Sequence, residues 1–320
     1  MKLLFGKLFL YTILIFISLE ILTRILHLYQ EQPVFIINDS NVKTYAPNQK
    51  GNYVVGNRRM NFSEYRINKS GFNSYREFIP TKDKIEIAII GDSFIEGLHQ
   101  NYYNSIGKKV ENKLNNKIKV FEYGHSGYDF ADQLHLMSAY KEQFDLIDYN
   151  IIYLKFDNDL LRDSYKPDQY WIDSQYFLSS RIGKKVKLLE YLNSIGAFEA
   201  LRDIKRQLLS IVRNNKNSQE KTTTNNKNLE AKRTKYLNNF KKITKTYGFD
   251  KTKTVFLLDS RSTSKPFLDY CDLMNYKYID FGKAFEESKT PTTLIYDMHW
   301  NNNGRSIIAS AIAEYISKQN

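Results

Sequence analysis

The stretch Ile85-Glu-Ile-Ala-Ile-Ile-Gly-Asp-Ser93 decides the fold of this 320-residue chain. Residues 85–90 form a short apolar run, which suits a strand buried on both faces of a parallel sheet. Gly91 permits a tight turn, and Asp92 and Ser93 follow on it. Ligands bind outside the carboxyl ends of the strands in open α/β sheets, so we expect the Ser93 hydroxyl to face a crevice. The alternative is an ordinary loop in which Ser93 caps a helix.

The rest of the chain repeats this alternation of strands and helices. Further strands are predicted at residues 119–123, 149–155, 254–258 and 276–280, helices at 105–114, 132–143 and 303–318, and an extended piece with a turn at 65–72. Strands that alternate with helices favour a parallel sheet covered on both faces. The expected fold class is therefore α/β, a flavodoxin-like three-layer sandwich with a central parallel sheet.

The predicted organisation has three parts. Residues 1–28 form a membrane anchor, residues 29–80 an irregular N-terminal segment, and residues 81–320 the main domain with a basic helical insertion at about 160–253. Within the insertion, residues 187–212 include helical pieces, and the low-complexity patch 214–228 is predicted to be a mobile loop.

The anchor is predicted from residues 8–19, an apolar run without a charge. With its apolar neighbours it approaches the roughly 20 residues that span a bilayer. Lys2 and Lys7 precede it, which favours a cytoplasmic N-terminus and an extracytoplasmic main domain. A cleaved signal peptide is disfavoured because no small-residue cleavage site follows the run. A buried helix of a soluble domain is the remaining alternative.

Charge and cysteine content limit the classes of function. The net charge is +12, and residues 181–253 alone hold 19 Lys and Arg against 6 Asp and Glu. Such a segment can face nucleic acid, anionic lipid or polysaccharide, although a solvated helical surface is the simpler interpretation. No nucleic-acid-binding motif is present, so no such partner is expected. Cys271 is the single cysteine, which excludes an intrachain disulfide, and we expect neither a metal nor a cofactor.

A second chemical piece is Asp297-Met298-His299 near the C-terminus. A serine becomes a good nucleophile when a base takes its proton, and an imidazole base is oriented by a carboxylate. Asp297 and His299 lie two positions apart on an irregular segment, so both can reach one site. The alternative for His299 is a capping or surface residue. His99 and His125 compete for the role of base, but neither has a carboxylate placed as Asp297 is for His299.

A third piece is Asp157-Asn158-Asp159, which follows the predicted strand 149–155. The uncharged amide of Asn158 can stabilise an oxyanion at this strand end. Gly127 follows the strand at 119–123 and can supply a backbone N–H. Asn, Asp and Gly are also common in turns, and that is the competing explanation. It loses force because successive strand ends each deliver a suitable group.

Together these pieces resemble the SGNH hydrolase family, also called GDSL-type esterases, and in particular its membrane-anchored bacterial members. The resemblance covers about residues 65–160 and 254–318. It implies that Ser93 is the nucleophile, that Asp297 and His299 are the acid and the base, and that Ser93, Gly127 and Asn158 form the oxyanion hole. The main departures are Phe156 and Glu122, where the family usually has Gly and Asn. Asn73 also stands where Arg usually follows the piece Asn68-Lys-Ser-Gly-Phe72.

The function implied is hydrolysis of an acyl ester, acetyl being the first expectation, on a carbohydrate or cell-envelope substrate. An O-acyltransferase acting on an envelope polysaccharide would use the same residues. A non-catalytic envelope-assembly or glycan-binding protein is an alternative from a different class. Fold alone does not choose among them.

Overall fold

The computed structural model describes residues 2–55, 59–199, 203 and 225–319. The strands are β1 (Phe35–Ile37), β2 (Lys43–Tyr45), β3 (Lys50–Val55), β4 (Asn61–Arg66), β5 (Ile85–Gly91), β6 (Ile118–Gly124), β7 (Tyr149–Tyr153), β8 (Thr254–Leu258) and β9 (Tyr278–Asp280). The helices are α1 (Lys2–Ile25), α2 (Ser93–Glu96), α3 (Ile106–Lys113), α4 (Phe130–Ala139), α5 (Lys141–Leu146), α6 (Phe156–Asp159), α7 (Gln169–Ser174), α8 (Leu178–Lys185), α9 (Lys187–Ser194), α10 (Asn225–Tyr247), α11 (Lys265–Leu273), α12 (Gly282–Glu286) and α13 (Asn302–Gln319).

Five strands form one parallel sheet in the order β6-β5-β7-β8-β9. In chain order these strands occupy positions 2-1-3-4-5 of the sheet, which is the flavodoxin-like arrangement. The predicted fold class is thus confirmed, and each predicted strand of the sheet is found. The strand β5, which contains the apolar run 85–90, lies between β6 and β7. It therefore has a neighbouring strand end on either side.

The two faces of the sheet are covered by different helices. Successive side chains of a strand point to opposite faces. Ala88 and Ile90 accordingly join a core with residues of α4, α10 and α11, while Ile87 and Ile89 join a second core with residues of α3 and α13. Each of these four β5 side chains is fully buried. Residues 87–90 of β5 are therefore apolar on both faces, as expected of a strand that lies between two helical layers.

The chain falls into two compact units. One contains residues 33–51, 63–168 and 224–320 and holds the parallel sheet, and the other contains residues 1–32, 52–62 and 169–223. The residues of the predicted insertion 160–253 are divided between these units. Much of its predicted helix 187–212 and of its low-complexity patch 214–228 lies outside the described residues.

The helix α1 belongs to the second unit. Among the described residues, its segment Leu3–Ile25 is the one helix that is long and apolar enough to cross a membrane. Its length and composition fit a membrane anchor and a signal sequence alike. Within the same unit, Glu20 of α1 accepts hydrogen bonds from the backbone N–H groups of Lys187 (3.0 Å) and Leu188 (2.7 Å) at the start of α9.

Candidate active site

Three strand ends meet at one edge of the sheet. Gly91 of β5 pairs in register with Gly124 of β6, and Ile90 of β5 pairs with Ile152 of β7. The segments that follow these strands therefore start side by side. Ser93 begins α2 directly after β5, with the segment that carries Gly127 on one side and the segment that carries Asn158 on the other.

The turn that presents Ser93 depends on its glycine and its aspartate. The Asp92 carboxylate caps α2 by accepting a hydrogen bond from the Phe94 N–H at 3.0 Å. A Cβ atom on Gly91 would lie 2.4 Å from the Ile95 side chain, and one on Gly124 would lie 2.1 Å from the backbone nitrogen of Glu96. Because α2 approaches the ends of β5 and β6 this closely, a side chain at either position would force α2 to shift. The position of Ser93 at the start of α2 is thus fixed by close packing of these strand ends.

The predicted acid and base meet Ser93 at this turn. The Nε2 atom of His299 lies 2.8 Å from the Ser93 hydroxyl, and its Nδ1 atom is hydrogen-bonded to the Asp297 carboxylate. The same carboxylate accepts the His299 backbone N–H at 2.8 Å. Burial raises the pKa of Asp297, but the His299 N–H, the His299 ring and His99 outweigh it, so the pKa falls below its usual value. Asp297 is therefore ionised at neutral pH and fixes the tautomer in which Nε2 can accept the serine proton.

The loop that carries Asp297 and His299 is anchored by Trp300. The Trp300 ring is buried against Phe94 (4.8 Å between centroids), Tyr153 (4.9 Å) and Phe281 (5.5 Å). The Arg305 guanidinium, fully buried at the start of α13, donates to the Trp300 carbonyl at 3.0 Å. These contacts fix Trp300 against the sheet. Because Trp300 directly follows His299, they also restrict the backbone that carries the imidazole.

His99 also contacts this pair. Its Nε2 atom lies 3.1 Å from Asp297 Oδ2, and its ring is stacked on the His299 ring with centroids 3.7 Å apart. Burial, followed by the neighbouring His299, lowers the pKa of His99 to about 3. His99 is therefore neutral at physiological pH and donates its Nε2–H to the carboxylate.

The ligand atoms of His99, Asp297 and His299 all lie within 4.8 Å of one another, a spacing at which three side chains can share a metal ion. A zinc ion binds an imidazole nitrogen along its lone pair, in the plane of the ring, at about 2.0–2.1 Å. The rings of His99 and His299 are stacked at 20°, so their lone pairs run side by side instead of converging. The arrangement fits a hydrogen-bonded chain of proton donors and acceptors much better than it fits one ion.

The loop after β6 holds Gly127 in a defined position. Gly127 has φ +74°, in the left-handed region that favours glycine. The preceding residue, Ser126, is held at both backbone groups: its N–H donates to Glu96 Oε1 at 2.8 Å, and its carbonyl accepts from Lys43 Nζ at 3.2 Å. The His125 N–H donates to the Gly91 carbonyl at 3.1 Å, so the loop is joined to the strand that leads to Ser93.

His125, a candidate base in the sequence, supports this loop instead. It is fully buried between the rings of Tyr45 (4.5 Å) and Tyr128 (4.9 Å), with which it stacks. Burial, together with the nearby Lys43 cation, lowers its pKa to about 3. A neutral imidazole enclosed in such a stack contributes to packing. The histidine that contacts Ser93 is His299.

Asn158 lies on the short helix α6, directly after β7. It is exposed, and its backbone N–H donates to the Lys155 carbonyl at 3.0 Å. Its side-chain amide makes no hydrogen bond with the residues that the structure describes. The structure thus brings the three residues Ser93, Asp297 and His299 together and places Gly127 and Asn158 on the flanking strand ends. The oxyanion roles of the last two stay predictions.

The three departures from the family pattern have structural partners. Glu122 is buried in β6 and accepts the Gly107 N–H at 2.9 Å. Phe156 is buried against Phe267, with ring centroids 4.5 Å apart. Asn73 donates through its side chain to the Glu96 carbonyl at 2.8 Å, so it braces α2.

Sequence reasoning missed the roles of Lys43, Tyr45, Glu96 and His99. Lys43 and Tyr45 lie in β2, within a segment that looked irregular, and no local pattern links that segment to the loop after β6. Glu96 lies three residues after Ser93, and only the tertiary structure gives it the Ser126 N–H as a partner. For His99, its position shortly after Ser93 was the one available signal.

No family model matches the sequence, and no curated protein matches it. Among solved structures, similarity is found to a lipase/acylhydrolase from Enterococcus faecalis, with 12% identity over 73% of this chain and 96% of that one and a TM-score of 0.40. The psychrotrophic esterase EstA from Pseudoalteromonas sp. is 12% identical over 74% of this chain and 98% of that one, with a TM-score of 0.40. A carbohydrate acetylesterase family member from Sinorhizobium meliloti is 12% identical over 73% of this chain and 97% of that one, with a TM-score of 0.32. These values are low, so the chemistry of this chain follows from its own side chains.

The sheet order and the contacts of Ser93 agree with the resemblance seen in the sequence. A flavodoxin-like sheet carries a serine after its first strand, and a histidine and an aspartate before its last helix. This arrangement is similar to the fold and the Ser-His-Asp geometry of SGNH-type hydrolases.

Proposed function

We propose that this chain is a serine esterase that hydrolyses an acyl ester, acetyl in the first instance, on a carbohydrate or cell-envelope substrate. The observation that carries the proposal is the 2.8 Å contact between the Ser93 hydroxyl and His299 Nε2, with Asp297 on the other nitrogen of the ring. This is the geometry in which an imidazole activates a serine as a nucleophile.

The reaction proceeds in two acyl-transfer steps. His299 Nε2 takes the Ser93 proton while Ser93 Oγ bonds to the ester carbonyl carbon, and the carbonyl oxygen becomes negatively charged. The N–H groups of Ser93 and Gly127 and the amide of Asn158 stabilise that charge. The alkoxy C–O bond then breaks, and the leaving oxygen takes the proton from His299. Water, activated by the same nitrogen, releases the acid and restores Ser93.

The cellular setting is part of the proposal. We infer that α1 is an uncleaved anchor, with Lys2 and Lys7 on the cytoplasmic side and the main domain outside. The uncharged run 8–19 and the absence of a small-residue cleavage site after it support this topology. An extracytoplasmic location in turn favours an envelope glycan as the substrate.

Replacement of Ser93 by Ala tests the activity. We expect the Ser93→Ala protein to lose hydrolysis of a small acetyl ester by at least about a thousandfold, with unchanged thermal stability. Ser310→Ala, an exposed serine on α13, is the matched control and should retain full turnover. Activity that persists in Ser93→Ala would overturn the assignment of the nucleophile.

Labelling with a serine-directed phosphonate, followed by peptide mapping, tests reactivity and site together. We expect one adduct, on Ser93. A protein that binds glycan but is neither labelled nor active would support a non-catalytic envelope role. Product analysis with added glycan acceptors separates hydrolysis, which releases free acid, from an O-acyltransferase, which would move the acyl group to the glycan.

A further inference from the structure

In the unit that contains α1, the helices α7 and α8 expose an unusual set of side chains. Six large apolar or aromatic residues there are exposed: Tyr170, Trp171, Tyr176, Phe177, Leu178 and Ile182. Soluble proteins rarely leave so many large apolar groups uncovered in one short segment. Tyr and Trp in particular are enriched where one end of a side chain is in lipid and the other in water.

These residues form one patch. The rings of Tyr170 and Phe177 are in contact, with centroids 6.0 Å apart, and the Ser180 hydroxyl donates to the Ser174 carbonyl at 2.8 Å, which ties α7 to α8. Along α8, Leu178 and Ile182 are spaced four positions apart and so share a face of the helix. The patch is therefore continuous across the two helices.

Exposed cations accompany the apolar groups. Arg181 and Lys185 lie on the face of α8 that carries Leu178 and Ile182, and Lys184 is exposed beside them. Long basic side chains can extend from an apolar surface toward anionic head groups while their stems stay in the apolar layer. Cations that lie close to the membrane are attracted to anionic lipid.

The connection to α1 fixes the depth of this patch. The Arg24 guanidinium of α1 donates to the Lys185 carbonyl at 2.6 Å, and the Glu20 carboxylate receives the first N–H groups of α9. These two charged residues lie where the apolar run of α1 ends. Because α8 has eight residues, its length is about 12 Å, so none of it lies far from that level.

We propose that α7 and α8 form a membrane-interface platform that binds the surface of an anionic lipid bilayer beside α1. The proposal rests on the inferred role of α1 as an uncleaved anchor. It gives the basic and aromatic residues of the insertion a partner, where the sequence alone favoured a solvated surface. A large exposed apolar patch of this kind marks an interaction or membrane-binding surface more often than a solvated one.

The two tryptophans of the chain provide the test. Trp171 belongs to the platform and is 48% exposed, whereas Trp300 is buried with 4% exposure. The full chain is placed in vesicles of phosphatidylcholine and phosphatidylglycerol that include lipid brominated near the head-group end of its acyl chains. We expect bromolipid to quench the Trp171 emission, and the quenched component to disappear in Trp171→Phe while the Trp300 emission persists.

Flotation of the vesicles separates failure of the anchor from failure of the platform. Protein that does not float with the vesicles contradicts the anchor. Protein that floats, but whose emission is quenched equally in the wild type and in Trp171→Phe, overturns the platform while the anchor stands. Quenching of Trp171 that is equally strong in vesicles of phosphatidylcholine alone would overturn the preference for anionic lipid.

A second inference comes from His99 and is independent of the membrane. The neutral imidazole of His99 donates to Asp297 Oδ2 at 3.1 Å while its ring lies on the His299 ring at 3.7 Å. The side chain of His99 is only 4% exposed, so its orientation is fixed by its surroundings. Asp297 is thus held between two imidazoles, one on each carboxylate oxygen.

We infer that His99 is a positioning residue for the proposed esterase reaction, in which it orients Asp297 and supports the His299 ring. A hydrogen bond to a charged group contributes about 1.5–3 kcal/mol, which corresponds to roughly ten- to a hundredfold in rate. His99→Phe keeps a ring for stacking but removes the donor, and His99→Gln keeps a donor at a similar reach. We expect kcat to fall by that factor in His99→Phe with KM unchanged, and His99→Gln to retain most of the activity.

The pH profile distinguishes positioning from a purely structural role. Loss of the donor leaves more negative charge on Asp297, so the acid limb of the kcat/KM profile should move to higher pH in His99→Phe. An unchanged kcat and profile in a folded His99→Phe protein would overturn the inference. His99→Met, which is smaller and equally without a donor, serves if the Phe variant does not fold. If the wild type itself has no esterase activity, the proposed function fails, whatever these variants do.

Discussion

The two segments that flank Ser93 at the edge of the sheet are built in opposite ways. The loop after β6 is fixed at Ser126 by Glu96 and Lys43, so that the N–H of Gly127 is set by backbone geometry. The helix after β7 is only four residues long and leaves the Asn158 amide exposed. The predicted donor N–H of Gly127 is therefore preorganised, whereas the predicted donor Asn158 has no side-chain hydrogen bond to the described residues that would fix it. The difference suggests that the β7 side adapts to the substrate while the β6 side does not.

Among changes to the two flanking segments, the largest expected effect is at Asn158, on the side of β7. Asn158→Ala should lower kcat by about a hundred- to a thousandfold, since one oxyanion donor typically contributes about 2.7–4 kcal/mol. KM for a small acetyl ester should change little. Asp157→Asn, an exposed neighbour on the same helix, is the control. Equal activity of the two variants in steady-state assays would mean that Asn158 is not an oxyanion donor.

Glu96 is the buried carboxyl that holds the loop after β6 through Ser126. Glu96→Gln tests its contribution to stability as a function of pH. Burial raises the pKa of Glu96 from 4.5 to about 7. The hydrogen bonds from the Tyr45 hydroxyl and the Ser126 N–H lower this pKa, but burial outweighs them. The stability contributed by this group is complete below pH 4.5 and is lost as the pH rises through about 7. One such proton gives a slope of up to about 1.4 kcal/mol per pH unit within that window.

Glutamine at position 96 keeps the Oε1 acceptor that serves Ser126 and Tyr45, and it cannot titrate. Denaturant unfolding at several pH values should therefore show a flatter dependence of the free energy of unfolding on pH in Glu96→Gln. A slope identical to that of the wild type would show that Glu96 does not take up a proton in this range.

Gly127→Ala separates backbone strain from catalysis. An L-residue in the left-handed region costs about 1–2 kcal/mol, and the added Cβ would meet only Lys43 Nζ, at 3.7 Å. We expect this loss in the free energy of unfolding together with a roughly tenfold fall in kcat if the strain displaces the donor N–H. Gly248→Ala, at φ +84° with open space around it, should lose similar stability and keep its kcat. Parallel behaviour of the two variants in activity would argue against Gly127 as a donor.

The smallest effect is expected at Lys155, which links the segment after β7 to the turn that carries Ser93. Lys155 follows β7, pairs with the Asp92 carboxylate and lies over the Phe94 ring at 5.1 Å. Lys155→Met keeps the apolar stem and removes the charge, while the Asp92 carboxylate keeps its hydrogen bond from the Phe94 N–H. We expect a decrease of a few-fold in kcat, measured beside the unfolding free energy. A loss as large as that of Asn158→Ala would place Lys155 in the chemistry itself.

The three residues that the structure brings together, Ser93, Asp297 and His299, were predictable because their signals are local. Ser93 follows an unmistakable buried strand, and Asp297 and His299 stand two positions apart before the last helix. His99, Glu96 and Lys43 had no such signal. Each acquires its role from a partner distant in sequence, namely Asp297 for His99 and Ser126 for Glu96 and Lys43. The sequence placed His99 and His125 in the same group, as competitors for the role of base. In the structure His99 contacts Asp297, whereas His125 is enclosed by two tyrosine rings.

The sequence by itself determined the sheet, its parallel order and the identity of the Ser-His-Asp set, because apolar periodicity and turn residues act over a few neighbouring positions. The tertiary structure alone decided what His99 and His125 contact, what holds Asp297, and that a strand from residues 43–45 supports the loop of Gly127. Those outcomes depend on distances of a few ångströms between segments far apart in the chain. Only the packing of helices against both faces of the sheet sets these distances.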